Sequence, residues 1–375
     1  MLQLPDDLTE ESFLAHHWQK VPLFMPRALP RLRPSITRNE LAWLATLDDV
    51  ESRIVFADRG DHGLRYRVAN GPFDTEYLAA LPGRDWTLLV HDVEKHLPAM
   101  RALFSHLPFI PDWRIDDLMV SFAAPGGGVG PHRDNYDVFL CQGIGVREWR
   151  TTLDDPGPDP AASNDLALLH EFEGSRFEAR EGDVLYLPPG VPHWGTAQRA
   201  CMTYSIGMRA PQLAELAASL PDSDEGNAFY GDADLSLDEV APGRISRRAV
   251  ARALDLLGKG EDAFDQVATA LGRCVTTTKE WLTPAMLDEE ETESALSHFA
   301  DGRRLAVHGM ARIAWDANRV YVNGRGHDCP PAMRPLVEKL CQERHLEGHA
   351  DAPQTALGLV RWMLRAGAFE IPGNL

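Results

Sequence analysis

The chain has 375 residues, 44% hydrophobic and 25% charged, a size and make-up that suit two or three globular domains. Its formal charge of −19 repels nucleic-acid phosphates, which sets DNA aside as a first partner and favours a basic protein instead. Five scattered cysteines without a C-x-x-C pair read as reduced thiols of a cytoplasmic protein, no apolar stretch approaches a membrane span, and the acidic start MLQLPDDLTEE is not a secretory signal.

From the N-terminus, ESFLAHHWQKVPLFM predicts a short amphipathic helix running into an extended apolar stretch. RNELAWLATL and HDVEKHLPAMRALFSHL predict two further helices, because their apolar residues recur at helical spacing. His16, His17, His91, His96 and His106 of this part read as surface or packing residues. Between about 113 and 211 the texture changes. DLMVSFAA, YDVFLCQG, VREWRTTL, RFEAR, DVLYLPP and CMTYSIGMR are short β-prone runs separated by Gly, Pro and Asp turns, which predicts an antiparallel sandwich or barrel.

After Pro211 the pattern turns helical in QLAELAASL, ISRRAVARALDLLG and EDAFDQVATALGRCV. Residues 221–240 hold Asp222, Asp224, Glu225, Asp232, Asp234, Asp238 and Glu239 and no Lys or Arg, the pattern of a solvated or mobile loop. LDEEETE should open another helix, where acids suit the N-terminal dipole. Helix signals near ESALSHF, a hairpin in RLAVHGMARIAWDANRVYVNG and helices in MRPLVEKLCQERH and TALGLVRWMLRAG then suggest a winged-helix-like module. Its expected recognition helix sets Arg334, Lys339 and Arg344 against Glu338 and Glu343, which favours a scaffold or dimer role over nucleic-acid binding.

The chemistry concentrates in SFAAPGGGVGPHRDNYDVFLCQGIGVREWR (121–150) and GDVLYLPPGVPHWG (182–195). His132 and Asp134 stand at i and i+2, so on extended chain both point to one side and can share a metal ion. An H-x-D alone would also suit an ion pair at a loop end. Here His193 follows a strand and a tight Pro/Gly turn, and two histidines with one carboxylate make the facial triad of non-haem iron(II) oxygenases. Such enzymes commonly use 2-oxoglutarate, whose far carboxylate needs a cation inside the barrel. Arg147 on VREWR can point inward for a bidentate contact, Arg150 has the opposite parity, and Ser121 can add a hydroxyl. PGGGVG (125–130) lacks the Lys-Ser/Thr of a phosphate loop, so its glycines more plausibly let backbone pass close to the metal or a peptide.

At these residues the sequence resembles the bacterial JmjC-type ribosomal oxygenases. The matching phrases are ESFLAHHWQKVPLFM, LPDWRIDDLMVSF, PGGGVGPHRDNYDVFLCQG, GDVLYLPPGVPH and YSIGMRAP. The resemblance implies an α+β protein with a double-stranded β-helix (jelly-roll, cupin-like) core and N-terminal helices in 1–212, a helical dimerisation region in 213–281, and a winged-helix-like domain in 282–375. It implies iron(II) on His132, Asp134 and His193, and 2-oxoglutarate on Arg147 and Ser121, with dioxygen as the other cosubstrate. It also implies a homodimer and hydroxylation of an arginine β-carbon in a basic protein of the large ribosomal subunit. Arg133 between the ligands, and Ala123 where a serine is common, depart from the family pattern. Asp116, Asp117 and Asp137, with at most one of the first two facing the pocket, and Tyr136 as a wall, are candidates for holding the cationic substrate. Hydroxylation of a histidine or of a small molecule, a cupin-like metal-binding dimer without turnover, and a winged-helix nucleic-acid binder are the competing expectations.

Overall fold

The computed structural model describes residues 2–5, 8–30, 32, 35–60, 63–160, 166–220, 226–349 and 353–370. They fall into two compact units, Met1–Pro108 with Ile115–Met208, and Phe109–Arg114 with Arg209–Leu375.

The first unit is built on strands β1 (Leu23–Met25), β2 (Ser52–Gly60), β3 (Gly63–Asn70), β4 (Trp86–Val90), β5 (Ile115–Ala123), β6 (Val138–Ile144), β7 (Val146–Thr151), β8 (Ser175–Arg180), β9 (Val184–Leu187), β10 (His193–Ala197) and β11 (Cys201–Met208). They form an eight-stranded antiparallel sheet in the order β1-β9-β6-β11-β5-β4-β2-β3 and a three-stranded one in the order β10-β7-β8. All six runs predicted as strands are strands. β2, β3 and β4, which the sequence does not announce, extend the larger sheet.

Helices α1 (Glu10–His16) and α2 (Arg38–Leu44) begin where the sequence puts capping residues. Thr9 Oγ1 accepts from the Ser12 amide, and Thr37 and Glu40 cap each other's backbone amides. The helix expected over 91–107 is only partly formed. Val93–His96 is α-helical, but Pro98–His106 is a 3₁₀ helix, since Pro98 has no amide to continue the α ladder.

The two sheets share their inner faces. Val138 and Leu140 of β6 and Leu185 and Leu187 of β9 pack with Trp149 of β7 and Ala179 of β8. Ala123 of β5 and Cys201 of β11 pack with Ala197 of β10. The register then fixes which other residues face inward, because directly opposed residues share a face. Arg53, Leu89, Ser121, Thr203 and Gln142 lie opposite one another across β2, β4, β5, β11 and β6. This row runs beside the inward row of Ala123 and Cys201. On the other face, the guanidinium of Arg38 in α2 stands 4.7 Å from the Phe122 ring centroid.

In the second unit, α3 (Arg247–Leu256) and α4 (Phe264–Thr276) share one core with Ala314 and Tyr321 of the hairpin strands Ile313–Trp315 and Arg319–Val322. A Cβ at Gly272 would come within 2.3 Å of the Tyr321 ring. Helices of the stretch 213–281 thus share a core with a hairpin of the stretch 282–375. A second cluster joins the helices Glu289–Ala300, Arg334–Glu343 and Gln354–Arg365 around that hairpin. Asp288 caps the first of these, as the acidic LDEEETE predicts.

The acidic run is only in part a solvated loop where it is described, with Asp234 and Asp238 exposed and Asp232 and Glu239 buried; Asp222, Asp224 and Glu225 lie outside the described residues. Asp232 is buried against the equally buried Arg114, Nε to Oδ2 at 3.0 Å. Glu239 takes two hydrogen bonds from Arg252, at 2.7 and 2.8 Å, and Asp234 takes a third at 2.7 Å. Arg114 and Arg252 thus hold Asp232 and Glu239 inward, since buried charges must be paired, while Asp234 stays exposed. Among the described residues no helix is long and apolar enough to cross a membrane.

Candidate metal and cosubstrate site

His132 and His193 meet as a backbone bridge between the loop before β6 and the start of β10, each amide donating to the other's carbonyl at 3.0 and 2.8 Å. Two glycines let the loop pass there. A Cβ at Gly128 would sit 2.4 Å from the Gly195 carbonyl oxygen, and Gly130, at φ +85°, would strike Tyr66 and Leu168. The phosphate-loop reading has no support in this packing role.

The imidazole rings of His132 and His193 lie 4.1 Å apart between centroids. His132 Nδ1 is 2.9 Å from the Gly130 carbonyl and His193 Nδ1 is 3.0 Å from that of Val191, so both rings turn Nε2 toward the same space. Asp134 Oδ2 is 3.7 Å from His193 Nε2, and one ligand atom from each of the three residues fits within 4.8 Å of the others. Burial, then the positive charge of His132, push His193 down to about 4 against the pull of Asp134, which keeps its ring neutral and its lone pair available. Arg133 turns outward to Asp155, so the unusual residue between two ligands leaves the site alone.

Deeper in, Arg147 and Trp149 are buried on β7 while Glu148 and Arg150 between them face out, paired with each other at 3.0 Å. The Arg147 guanidinium lies 5.4 Å from the Trp149 ring centroid. Its Nε and Nη2 are buried and meet no hydrogen-bond partner among the described residues. A buried, unanswered guanidinium fits a carboxylate that arrives with a ligand. Ser121, buried on β5, faces the same interior from the opposite sheet. The residues present thus fit a divalent metal of the iron type and a dicarboxylate beside it.

At the mouth, Tyr136 is 40% exposed. Its phenol is pushed far up, by Asp134 first, then burial, Asp117 and Asp116, with Arg53 opposing. Parity places Asp117 on the inner face with Ser121, and Asp116 is the extra residue where the register with β11 shifts. Gly207 opposite Asp117 leaves room, since a Cβ there would lie 3.0 Å from Asp117 Oδ1 and 3.8 Å from the Tyr136 ring. His91 Nδ1 stands 3.3 Å from Asp117 Oδ2. Asp137, by contrast, is not at the mouth. It is fully buried and accepts hydrogen bonds from Tyr186 Oη at 2.6 Å and Gln19 Nε2 at 2.8 Å, tying α1's end to the sheet. Asp137 thus serves the packing of the fold rather than lying exposed beside Tyr136. His91, which the sequence read as a surface or packing residue, is thereby a neighbour of Asp117.

Paired antiparallel sheets carrying two histidines and an aspartate above a buried arginine define an iron(II)- and 2-oxoglutarate-type oxygenase site. The profile of the JmjC domain matches residues 102–216, and that of the ROXA-like winged helix matches 260–360. The chain is 31% identical over 370 residues to the ribosomal protein uL16 3-hydroxylase of Escherichia coli, covering 96% of this chain and 97% of the relative. It is 32% identical to a probable ribosomal oxygenase of Haemophilus influenzae, over 87% of this chain and 83% of that one. The solved structure of YcfD, a ribosomal oxygenase from Escherichia coli, with cobalt and 2-oxoglutarate is 29% identical over the whole of both chains at a TM-score of 0.75. The chain belongs to the JmjC-domain ribosomal oxygenases.

Proposed function

We propose that the chain is a protein hydroxylase that uses iron(II), 2-oxoglutarate and dioxygen to hydroxylate the β-carbon of an arginine in a basic protein of the large ribosomal subunit. The observation that carries this reading is the site's composition. Three metal-type ligands lie within reach of one ion, a buried arginine has two nitrogens without a partner among the described residues, and Asp117 stands on the inward row of Ser121. When bound, the iron and 2-oxoglutarate supply the oxidising equivalent from dioxygen. The chain's own residues do the rest. His132, Asp134 and His193 hold the metal, with Nδ1 of each histidine fixed by a backbone carbonyl. Arg147 and Ser121 orient the cosubstrate's far carboxylate, and the apolar lining around Trp149 keeps water out.

Asp117 and Tyr136 hold the cationic side chain at the mouth, which favours arginine over a neutral histidine ring. The two sheets would form the double-stranded β-helix of this class, and the helices of 213–281 a dimerisation face, which light scattering reads directly. The relative's name, a uL16 3-hydroxylase, supports the same substrate class.

The test is intact-mass spectrometry of arginine- and histidine-containing ribosomal-protein peptides incubated in air with the chain, iron(II), 2-oxoglutarate and ascorbate. Arginine peptides should gain one oxygen, and His132→Ala should abolish the gain. Succinate release that no peptide stimulates, with no peptide altered, would overturn the protein-substrate reading.

A further inference from the structure

The ladder of β4 with β5 ends at Val90 and Val120, and the chain then turns into the short helix Val93–His96. Past that pair, side chains of this turn hold β5. On its other edge the register with β11 shifts just after Gly207 and Asp117, with Asp116 as the extra residue. A bulge re-aims the side chains beside it, so the ladder alone does not set the direction of Asp117. Two residues of the turn do. Buried Glu94 accepts the Leu118 amide at 2.9 Å, where a strand partner would otherwise stand. His91 Nδ1 lies 3.3 Å from Asp117 Oδ2, with both side chains largely buried. A carboxylate accepts, so Nδ1 carries the proton. The ring's other nitrogen, Nε2, is sealed from solvent and meets no partner among the described residues, so nothing there competes with Asp117 for the ring. Asp117 Oδ1 is left toward Gly207 and Tyr136. A Gly207 Cβ would stand 3.0 Å from that oxygen and 3.8 Å from the Tyr136 ring.

We propose that His91 is a positioning residue, whose Nδ1–H holds Asp117 Oδ2 and so aims Oδ1 at the cationic side chain of the substrate beside Tyr136. This rests on the protein-substrate reading above, in which Asp117 meets that cation. A carboxylate beside a bulge would have to be ordered each time a substrate arrives. Held by His91, it is ordered when the chain folds, and binding no longer bears that cost. His91 touches neither the metal ligands nor the cosubstrate arginine in this account, so its effect is confined to the hold on the substrate.

The experiment measures hydroxylation of an arginine-containing ribosomal-protein peptide by the full chain carrying His91→Phe, which keeps a ring without a donor, and His91→Asn, whose amide can still donate. Loosening a charge-assisted contact predicts a KM for peptide raised about 3- to 30-fold in His91→Phe, with kcat and the KM for 2-oxoglutarate unmoved. His91→Asn should recover most of the loss. On an Asp117→Asn background, His91→Phe should add nothing further, because it acts through the carboxylate already removed. Thermal melts that match the wild type exclude a folding defect, and if His91→Phe melts early, His91→Leu takes its place. An unchanged KM for peptide in the folded donor-free variant overturns the inference, as does a penalty that persists in full on the Asp117→Asn background. Asp117→Asn alone leaving the KM for peptide unmoved overturns both this inference and the role given to Asp117. A wild-type chain that hydroxylates no peptide overturns it together with the protein-substrate reading.

Discussion

Arg147→Met separates stability from cosubstrate binding, because the structure gives the two effects opposite signs. The guanidinium is 4% exposed, and two of its nitrogens have no acceptor among the described residues. In the ligand-free chain that unanswered donor surface costs about 1–3 kcal/mol. The contact with Trp149 returns roughly 0.5–2 kcal/mol. Methionine keeps the apolar stem, so the two effects net to between about 1 kcal/mol less and about 2.5 kcal/mol more stability for the free variant, with the balance on the side of a gain. That corresponds to a rise in Tm of roughly 2–4 °C per kcal/mol for a unit of this size. Against 2-oxoglutarate the sign reverses. Loss of a bidentate, charge-assisted contact removes about 3 kcal/mol, a rise of roughly 100-fold in its KM. The assays are thermal melts with and without 2-oxoglutarate, and succinate release against its concentration. A free variant that melts lower by several degrees while its KM is unchanged would refute the reasoning and make Arg147 a structural residue stacked on Trp149.

Asp137→Ala should lower stability by about 3 kcal/mol, since Tyr186 Oη and Gln19 Nε2 lose their buried acceptor, and should leave the KM for peptide alone; urea melts and peptide kinetics check both halves. Arg114→Met strands the buried Asp232 carboxylate and should cost about 3–5 kcal/mol, read as an early melt of the helical unit. His193 titrates near 4 in the folded metal-free chain and near 6.5 unfolded, so between those values the unfolded chain binds the extra proton. Metal-free stability should therefore fall as pH drops from about 6.5 toward 4, and His193→Gln should flatten that slope in melts across the range.

The site was largely legible in the sequence because its ligands are local. His132 and Asp134 stand two residues apart, and the G-D-x-L-x-x-P-x-G-x-x-H phrase carries its own strand and turn before His193. Parity along VREWR put Arg147 inside and Arg150 outside, as found. What escaped depends on long-range partners. RIVFA of β2 and WTLLV of β4 run apolar without alternation and GLRYRVAN of β3 carries two arginines, so only the pairing of β3 with β2, β2 with β4 and β4 with β5 shows which face is inward. Asp137 looked like a mouth residue because it follows the metal ligands. Its surroundings are set by Tyr186 and Gln19, far away in the chain. The burial of Asp232 and Glu239 within the acidic run was hidden because Arg114 and Arg252, which pair with them, lie outside it.

Everything rests on three side chains making one metal site. Titrating the metal-free chain with cobalt(II), and following its visible absorption, tests that directly. One ion per chain should bind, adding 2-oxoglutarate should perturb the bands, and His132→Ala, Asp134→Ala and His193→Ala should each abolish the signal. A wild-type chain that takes up no cobalt, or three folded variants that bind it as the wild type does, would contradict the account.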